Sequence, residues 1–272
     1  MAELIFDHPR VQVYHGCWQA VGLAPQSVDV VLTDPPYTNH VHQNVRSCNT
    51  TGTVKVETYD IPFAALAGYE HVPAQLALAR RWVLNFCALE QLGEYRAAAG
   101  GDRKKADGET AAQYRAREAA YVRSGIWRKQ QAAPQLTGDR PANSCEGFAL
   151  MHQKGGKLRW AGGGKHAYLS SNEEDTDRPF SVPDFIDEGR EKAKKRHPAQ
   201  KPWALCQRLA TWFVEPGDVV LDGYAGSGNL GFAALAAGAG KIILCDIDAE
   251  WAVFLAERAQ EVVASFPDCA KL

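Results

Sequence analysis

Buried parallel strands show in a sequence as short unbroken apolar runs, and amphipathic helices as apolar positions three or four apart. Both patterns recur in this chain. Val28-Asp29-Val30-Val31-Leu32-Thr33, Trp82 to Phe86, Asp218 to Leu221 and Lys241 to Cys245 read as buried strands. Arg10 to Tyr14 alternates as a shorter strand, and Tyr121 to Arg128 and Gly147 to Met151 read as two more. Helices are expected over Pro62 to Leu78, Ala88 to Ala99 and the alanine-rich Leu230 to Ala237. Another follows Pro202, with Leu205, Leu209, Trp212 and Phe213 at helical spacing. Trp251 to Ala264 reads as a closing helix, with Val253, Leu255, Ala256 and Ala259 turned inward. Residues 38 to 60 are polar and read as one long loop, the kind that serves compact domains as a lid or binding loop. Strands alternating with helices predict an α/β fold on a mostly parallel sheet.

Three interruptions of this pattern carry chemistry. Asp34-Pro35-Pro36-Tyr37 directly follows a buried strand, and its prolines must end that strand. A carboxylate, a ring and a rigid backbone are thereby left at the carboxyl end of a strand, where open α/β sheets bind ligands. The carboxylate and a proline carbonyl can accept hydrogen bonds from an exocyclic amino group, while the Tyr37 ring stacks on a planar partner. An ordinary strand-ending turn would have the same composition.

The second interruption is Leu221-Asp222-Gly223-Tyr224-Ala225-Gly226-Ser227-Gly228-Asn229, a strand, a glycine turn and a helix start. Its glycines let backbone N–H groups approach a ligand closely. Gly226-x-Gly228-x-x-Gly231, with Asp246 twenty residues after Gly226, also satisfies a dinucleotide fingerprint. A nicotinamide-dependent oxidoreductase is therefore one reading. Asp222 argues otherwise, since a carboxylate just before the glycines suits a cationic group better than a pyrophosphate. The third is His197-Pro198-Ala199-Gln200-Lys201-Pro202, at a helix start. Lys201 or the helix amides could meet a carboxylate there, or the segment is plain solvated surface.

Composition narrows the classes. At 272 residues and 46% hydrophobic, the chain suits one large α/β domain with an elaboration, or two small ones. A formal net charge of −2 gives no global basic field, so contact with nucleic acid would need locally segregated charge. Such a segment exists: Lys154, Lys157, Arg159, Trp160, Lys165 and His166 lie in a glycine-interrupted stretch without acids. The seven cysteines include no C-x-x-C pair, so neither a metal site nor a disulfide framework is expected, and reduced thiols point to the cytoplasm. No stretch is long and apolar enough for a membrane span or a signal segment.

Taken together, the three segments resemble the DNA amino-methyltransferases, which methylate adenine N6 or cytosine N4. The resemblance is to the permuted group with the catalytic tetrapeptide first and the cofactor motif last, and it runs from about Val11 to Arg258. Asp222 to Asn229 is similar to D-P-F-A-G-S-G-T, departing at Gly223, Tyr224 and Asn229, and His197 to Pro202 to H-P-x-Q-K-P. Where the family carries Gly-Asp after the first strand, this chain has Gly16-Cys17. The resemblance implies a Rossmann-like S-adenosylmethionine-dependent methyltransferase fold with a mostly parallel seven-stranded sheet. Residues 1–151 would form a catalytic half, 152–195 a target-recognition region, and 196–272 the cofactor-binding half of the same domain.

By the same resemblance Asp34, Pro35, Pro36 and Tyr37 are catalytic. Asp222, Tyr224, Ala225, Gly226, Ser227, Gly228, Asp246, His197, Gln200 and Lys201 hold S-adenosylmethionine. The basic stretch from Lys154 to His166 contacts double-stranded DNA. Asp at the head of the tetrapeptide leans toward adenine N6, and cytosine N4 is the alternative. The target base would be flipped out and attack directly, without a metal or a covalent adduct, since no Cys stands beside a proline in a matching motif. The short recognition region suggests a short site or help from a second subunit in a homodimer. Methylation of RNA or protein, or DNA binding by a chain with an inactive cofactor site, are further readings.

Overall fold

A computed structural model of the chain describes residues 1–37, 45–49, 55–59, 65–100, 107–111, 113, 120–129, 144–152, 158, 160–161, 168–170 and 200–265. The elements in chain order begin with β1 (Glu3–His8), β2 (Val11–His15), a 3-10 turn at Trp18–Val21, and β3 (Val28–Thr33). A hairpin of β4 (Val45–Asn49) and β5 (Lys55–Tyr59) precedes α1 (His71–Leu78) and β6 (Ala79–Cys87). A 3-10 turn at Leu89–Gln91 leads into α2 (Leu92–Ala98), then β7 (Tyr121–Arg128), β8 (Cys145–Met151) and β9 (Tyr168–Ser170). The last part contains α3 (Trp203–Phe213), β10 (Val219–Asp222), α4 (Asn229–Ala236), β11 (Lys241–Asp246) and α5 (Ala249–Ser265).

Among the described residues, nine strands form one sheet in the order β1-β2-β11-β10-β3-β6-β8-β7-β9. The pairs β2–β11, β11–β10, β10–β3, β3–β6 and β7–β9 are parallel, whereas β1–β2, β6–β8 and β8–β7 are antiparallel. The sheet has nine strands rather than seven because β1 and β9 extend its two edges. β1, whose Glu3, Leu4 and Asp7 are exposed, lacks the continuous apolar run of a central strand, and neither edge was legible in the sequence. β3 shows the opposite case: it lies between β10 and β6, and Val28, Val30, Val31 and Leu32 are fully buried.

Two apolar layers cover the sheet. One gathers Val30, Leu32, Leu84, Phe86, Phe148, Val220 and Leu244 beneath α3, α4 and α5. The other gathers Val31, Val83, Met151, Leu221 and Ile243 beneath Trp18, α1 and α2. Two glycines let the start of α4 pack closely, Gly231 against β11 and Gly228 beneath Phe232 and α5. A Cβ at Gly231 would meet Leu244 at 2.2 Å, and one at Gly228, whose φ is 78°, would meet Phe232 at 2.6 Å and Leu255 at 2.7 Å. These residues of the fingerprint are therefore required by packing, whatever the ligand.

Several expectations are revised. Part of the loop expected over 38 to 60 is the β4–β5 hairpin, whose backbone pairs from Val45–Tyr59 to Asn49–Lys55. The helix expected from Pro62 begins only at His71: residues 65–68 are not helical, and the Leu66 N–H instead donates to the Tyr37 carbonyl at 3.1 Å. Val253 is 55% exposed. The inward stripe of α5 is Ala252, Leu255 and Ala259, at spacings of three and four, which leaves Val253 off the stripe.

Candidate active site

The sheet runs away from the β10–β3 boundary in both directions: β10 is followed outward by β11 and β2, and β3 by β6 and β8. A reversal of this kind opens a crevice at the carboxyl ends of the flanking strands. β3 ends at Thr33, with Asp34 the next residue, and β10 ends in Asp222, so both acids stand at its mouth. Thr33 ties the two strand ends together. Its hydroxyl donates to Asp222 Oδ1 at 2.8 Å and accepts the Tyr224 N–H at 3.1 Å. Asp222 is 1% exposed, and burial foremost raises its pKa to about 7, against the opposing hydrogen bonds from Thr33 and Tyr224.

The glycine turn closes around a third acid. Asp246, at the end of β11, accepts the Gly226 N–H on Oδ2 at 2.7 Å and the Asp248 N–H on Oδ1 at 2.9 Å. The Gly226 amide, which a pyrophosphate would need, is already engaged by a carboxylate. Asp222 lies behind the turn and Asp34 across the crevice, while Arg258 donates to the Ser227 carbonyl and to Asn229 Oδ1 at 2.8 Å. With three carboxylates around the turn and the guanidinium already committed to it, the lining suits a cationic ligand better than a phosphorylated one. Gly223 lies against Trp18, where a Cβ would come within 2.6 Å of the indole. Ala225, Ser227 and Gly228 are buried in the turn, with Tyr224 half-buried beside it.

Beyond Asp34 lies a buried cluster of alternating charge. Lys201, 7% exposed, places its ammonium between Asp34 Oδ2 and Glu146 Oε2, the second contact at 3.3 Å. The Tyr37 hydroxyl donates to the same Glu146 oxygen at 2.9 Å, and Lys129 pairs with Glu146 Oε1. The Lys201 ammonium also stands 5.0 Å from the Phe86 ring centre and 5.4 Å from that of Tyr37. Asp34 Oδ1 is buried and has no hydrogen-bond partner among the described residues.

Burial raises the Asp34 carboxyl against the pull of Lys201. For Glu146 burial is outweighed by Lys201 and Lys129, and its pKa falls to about 2. Lys201 is held protonated: burial opposes its charge, but Asp34 and Glu146 together prevail. Burial, then Asp34 and Glu146, push the Tyr37 phenol well above its usual range, so it stays a neutral donor.

The residues expected to be functional separate into groups. Asp34, Tyr37, Lys201, Asp222 and the turn from Tyr224 to Gly228, with Asp246, gather around the crevice. Lys201 was expected at the cofactor, but its ammonium points to Asp34 and Glu146; its carbonyl accepts from Asn229 Nδ2 at 2.8 Å, linking it to the cofactor turn. Gln200 is half-buried next to it, and His197 lies outside the described residues. Of the basic stretch only Trp160 is described, packed 5.3 Å from the Trp212 ring; Lys154, Lys157, Arg159, Lys165 and His166 lie outside the described residues. Glu146, Lys129 and Thr33 were not anticipated. The one sequence signal for Glu146 is an acid immediately before the apolar run that opens β8.

Fold and site together define an α/β protein with a carboxylate-lined crevice at the switch point of its sheet. Residues 111–257, more than half of the chain, match the model of the N6/N4 DNA methylase family, and the chain belongs to that family. A 57-residue stretch is 44% identical to the DNA adenine methyltransferase YhdJ of Escherichia coli (strain K12), spanning 21% of this chain and 19% of that protein. Among solved structures, M1.HpyAVI in complex with SAM superposes with a TM-score of 0.57 at 18% identity, covering 92% of this chain and 99% of that one. The cytosine-N4-specific PvuII DNA methyltransferase gives 0.55 at 15% identity, covering 94% and 88%. At these identities the structural likeness is one of fold.

Proposed function

We propose that the protein transfers a methyl group from S-adenosylmethionine to the N6 amino group of adenine in duplex DNA, at a specific site. The observation that carries this is the placing of Asp34 and Asp222 at adjacent strand ends, with Thr33, the residue before Asp34, hydrogen-bonded to Asp222. One acid faces a cationic cofactor, and the other faces an amino group beside a stacking ring. When bound, S-adenosylmethionine supplies an electrophilic methyl group on a sulfonium. Asp222 and Asp246 would hold its ammonium and ribose ends, with the turn from Tyr224 to Gly228 around it.

The target adenine is extruded from the duplex at a cost of about a few kcal/mol of unstacking. Tyr37 stacks on it. Asp34 Oδ1 and the Pro35 carbonyl accept hydrogen bonds from its amino group, which orients the nitrogen lone pair toward the methyl group. The amino nitrogen would take the methyl group as its bond to sulfur breaks, the sulfur leaving as a neutral thioether and the amino proton passing to solvent or Asp34, and orientation of this kind can supply a large share of the acceleration. Lys201 on Asp34 Oδ2 keeps the carboxylate in one rotamer. Two features favour adenine: the Asp at the head of the tetrapeptide, and the stretch shared with an Escherichia coli protein named as an adenine methyltransferase.

The test is methyl transfer from labelled S-adenosylmethionine to unmethylated duplex DNA, followed by nucleoside mass spectrometry. N6-methyladenine is expected. N4-methylcytosine would overturn the base assignment alone. Transfer to RNA or protein but not to DNA would overturn the substrate class.

A further inference from the structure

We propose that Glu146 is a positioning residue for methyl transfer, sharing the Lys201 ammonium with Asp34 and anchoring the Tyr37 hydroxyl, so that the second Asp34 oxygen is presented to the amino group of the base. This rests on the reading of the site as a DNA amino-methyltransferase and assigns it a second carboxylate outside the tetrapeptide.

The register places Glu146 there. β8 runs antiparallel to β6, with Phe86 opposite Phe148 and Cys87 opposite Gly147, so its first residues lie at the carboxyl end of the parallel strands. Side chains alternate along a strand, and Glu146 shares the face of Phe148 and Leu150, toward which Lys201 projects over Phe86. One carboxylate thus meets three donors. Tyr37 and Lys201 engage Oε2, and Lys129, 37% exposed, engages Oε1. Buried charges are tolerated when paired and hydrogen-bonded, and this cluster meets both conditions.

Two consequences follow for the base pocket. The Tyr37 hydroxyl is anchored on Glu146, which helps to set the plane of the ring that receives the base. The Lys201 ammonium is divided between two carboxylates, so it withdraws less charge from Asp34 than an exclusive partner would. The groups facing Asp34 are Lys201 ahead of α3, Cys206 on α3, Glu146 on β8, Tyr37 on its own loop, Tyr95 on α2, the neutral Cys87 thiol at the end of β6, and Asp222 on β10. Glu146 raises the Asp34 carboxyl, so removing its charge lets Asp34 ionise at lower pH.

The experiment is steady-state methylation of duplex DNA across pH by the wild type, Glu146→Gln, Tyr37→Phe and the double variant. Thermal melting and S-adenosylmethionine binding serve as folding controls. Glu146→Gln should lower kcat about ten- to hundredfold, as for loss of a hydrogen bond to a charged group. The KM for S-adenosylmethionine should hold, and the acid limb of the kcat profile should move to lower pH. Tyr37→Phe should cost less when combined with Glu146→Gln than alone.

Unchanged kcat in Glu146→Gln, beside an active wild type, would overturn the inference and leave the enzyme assignment standing. So would a loss of kcat with an unmoved acid limb, which marks a purely structural role. A wild type that methylates no duplex DNA would overturn the underlying reading and this one together.

Discussion

Asp222 provides the sharpest test of the cofactor assignment, because its buried carboxylate turns pH into a switch on affinity. Moving its pKa from 3.8 to about 7 disfavours the charged form, and a displacement of that size corresponds to about 4 kcal/mol. Two effects of opposite use follow. In the free protein, Asp222 contributes stability that is fully present below its unfolded value and is lost as pH rises through about 7. A bound cation reverses the balance by favouring the carboxylate. Affinity for S-adenosylmethionine should therefore fall about fivefold from pH 7 to 6 and roughly tenfold more from 6 to 5, as binding must first displace a proton.

The assay is isothermal titration calorimetry between pH 5 and 7, below the α-amino range of about 7.7–8.0 where the ligand itself would lose charge. Repeating it in buffers of different ionisation enthalpy counts the proton released. Asp222→Asn should bind weakly at every pH, without proton release. Asp246→Asn serves as control for the neighbouring acid, whose carboxyl burial also raises. An equal Kd at pH 5.5 and 7 in the wild type, with no proton release, would refute the cation-binding role of Asp222.

Three more outcomes are expected. Asp34→Ala should abolish methylation while leaving S-adenosylmethionine binding within about twofold, since the side chain faces the base; full activity in a transfer assay would sink the assignment. Gly228→Ala should destabilise the fold by about 1–3 kcal/mol, because the residue combines a φ of 78° with a Cβ position 2.6 Å from Phe232, and a urea melt would read this directly. Neutralising Lys154, Lys157 and Arg159 together should weaken DNA binding and reduce the slope of log K against log salt by up to about 3; an unchanged slope would remove the stretch from the interface.

How far the site was legible depends on whether a function is written locally or across the sheet. Asp34 to Tyr37 and Asp222 to Gly228 are contiguous segments, each following a continuous apolar run, and a strand end followed by breakers marks its own position. β3, β10 and β11 were legible for the same reason, being buried on both faces. β1 was not, because an edge strand needs only one apolar face and pairing completes the rest. Gly228 and Gly231 look like ligand residues in sequence, yet the space they leave is filled by Phe232, Leu255 and Leu244. No spacing rule distinguishes a glycine that admits a ligand from one that admits a neighbouring side chain.

Glu146 and Lys201 are the harder case, since they lie 55 positions apart in the chain and each is remote from Asp34. Their meeting depends on two facts of topology. β8 runs opposite to β6, which brings its first residues rather than its last to the carboxyl edge. β10 is inserted between β11 and β3, which seats the later part of the chain against the earlier part and brings the approach to α3 over Phe86. A sequence in which β8 ran parallel to β6 would place an acid at this position at the amino edge of the sheet, away from Asp34. The motif order of this chain, catalytic tetrapeptide first and glycine turn last, is thus compatible with a single crevice because the sheet order, not the chain order, decides which strand ends are neighbours.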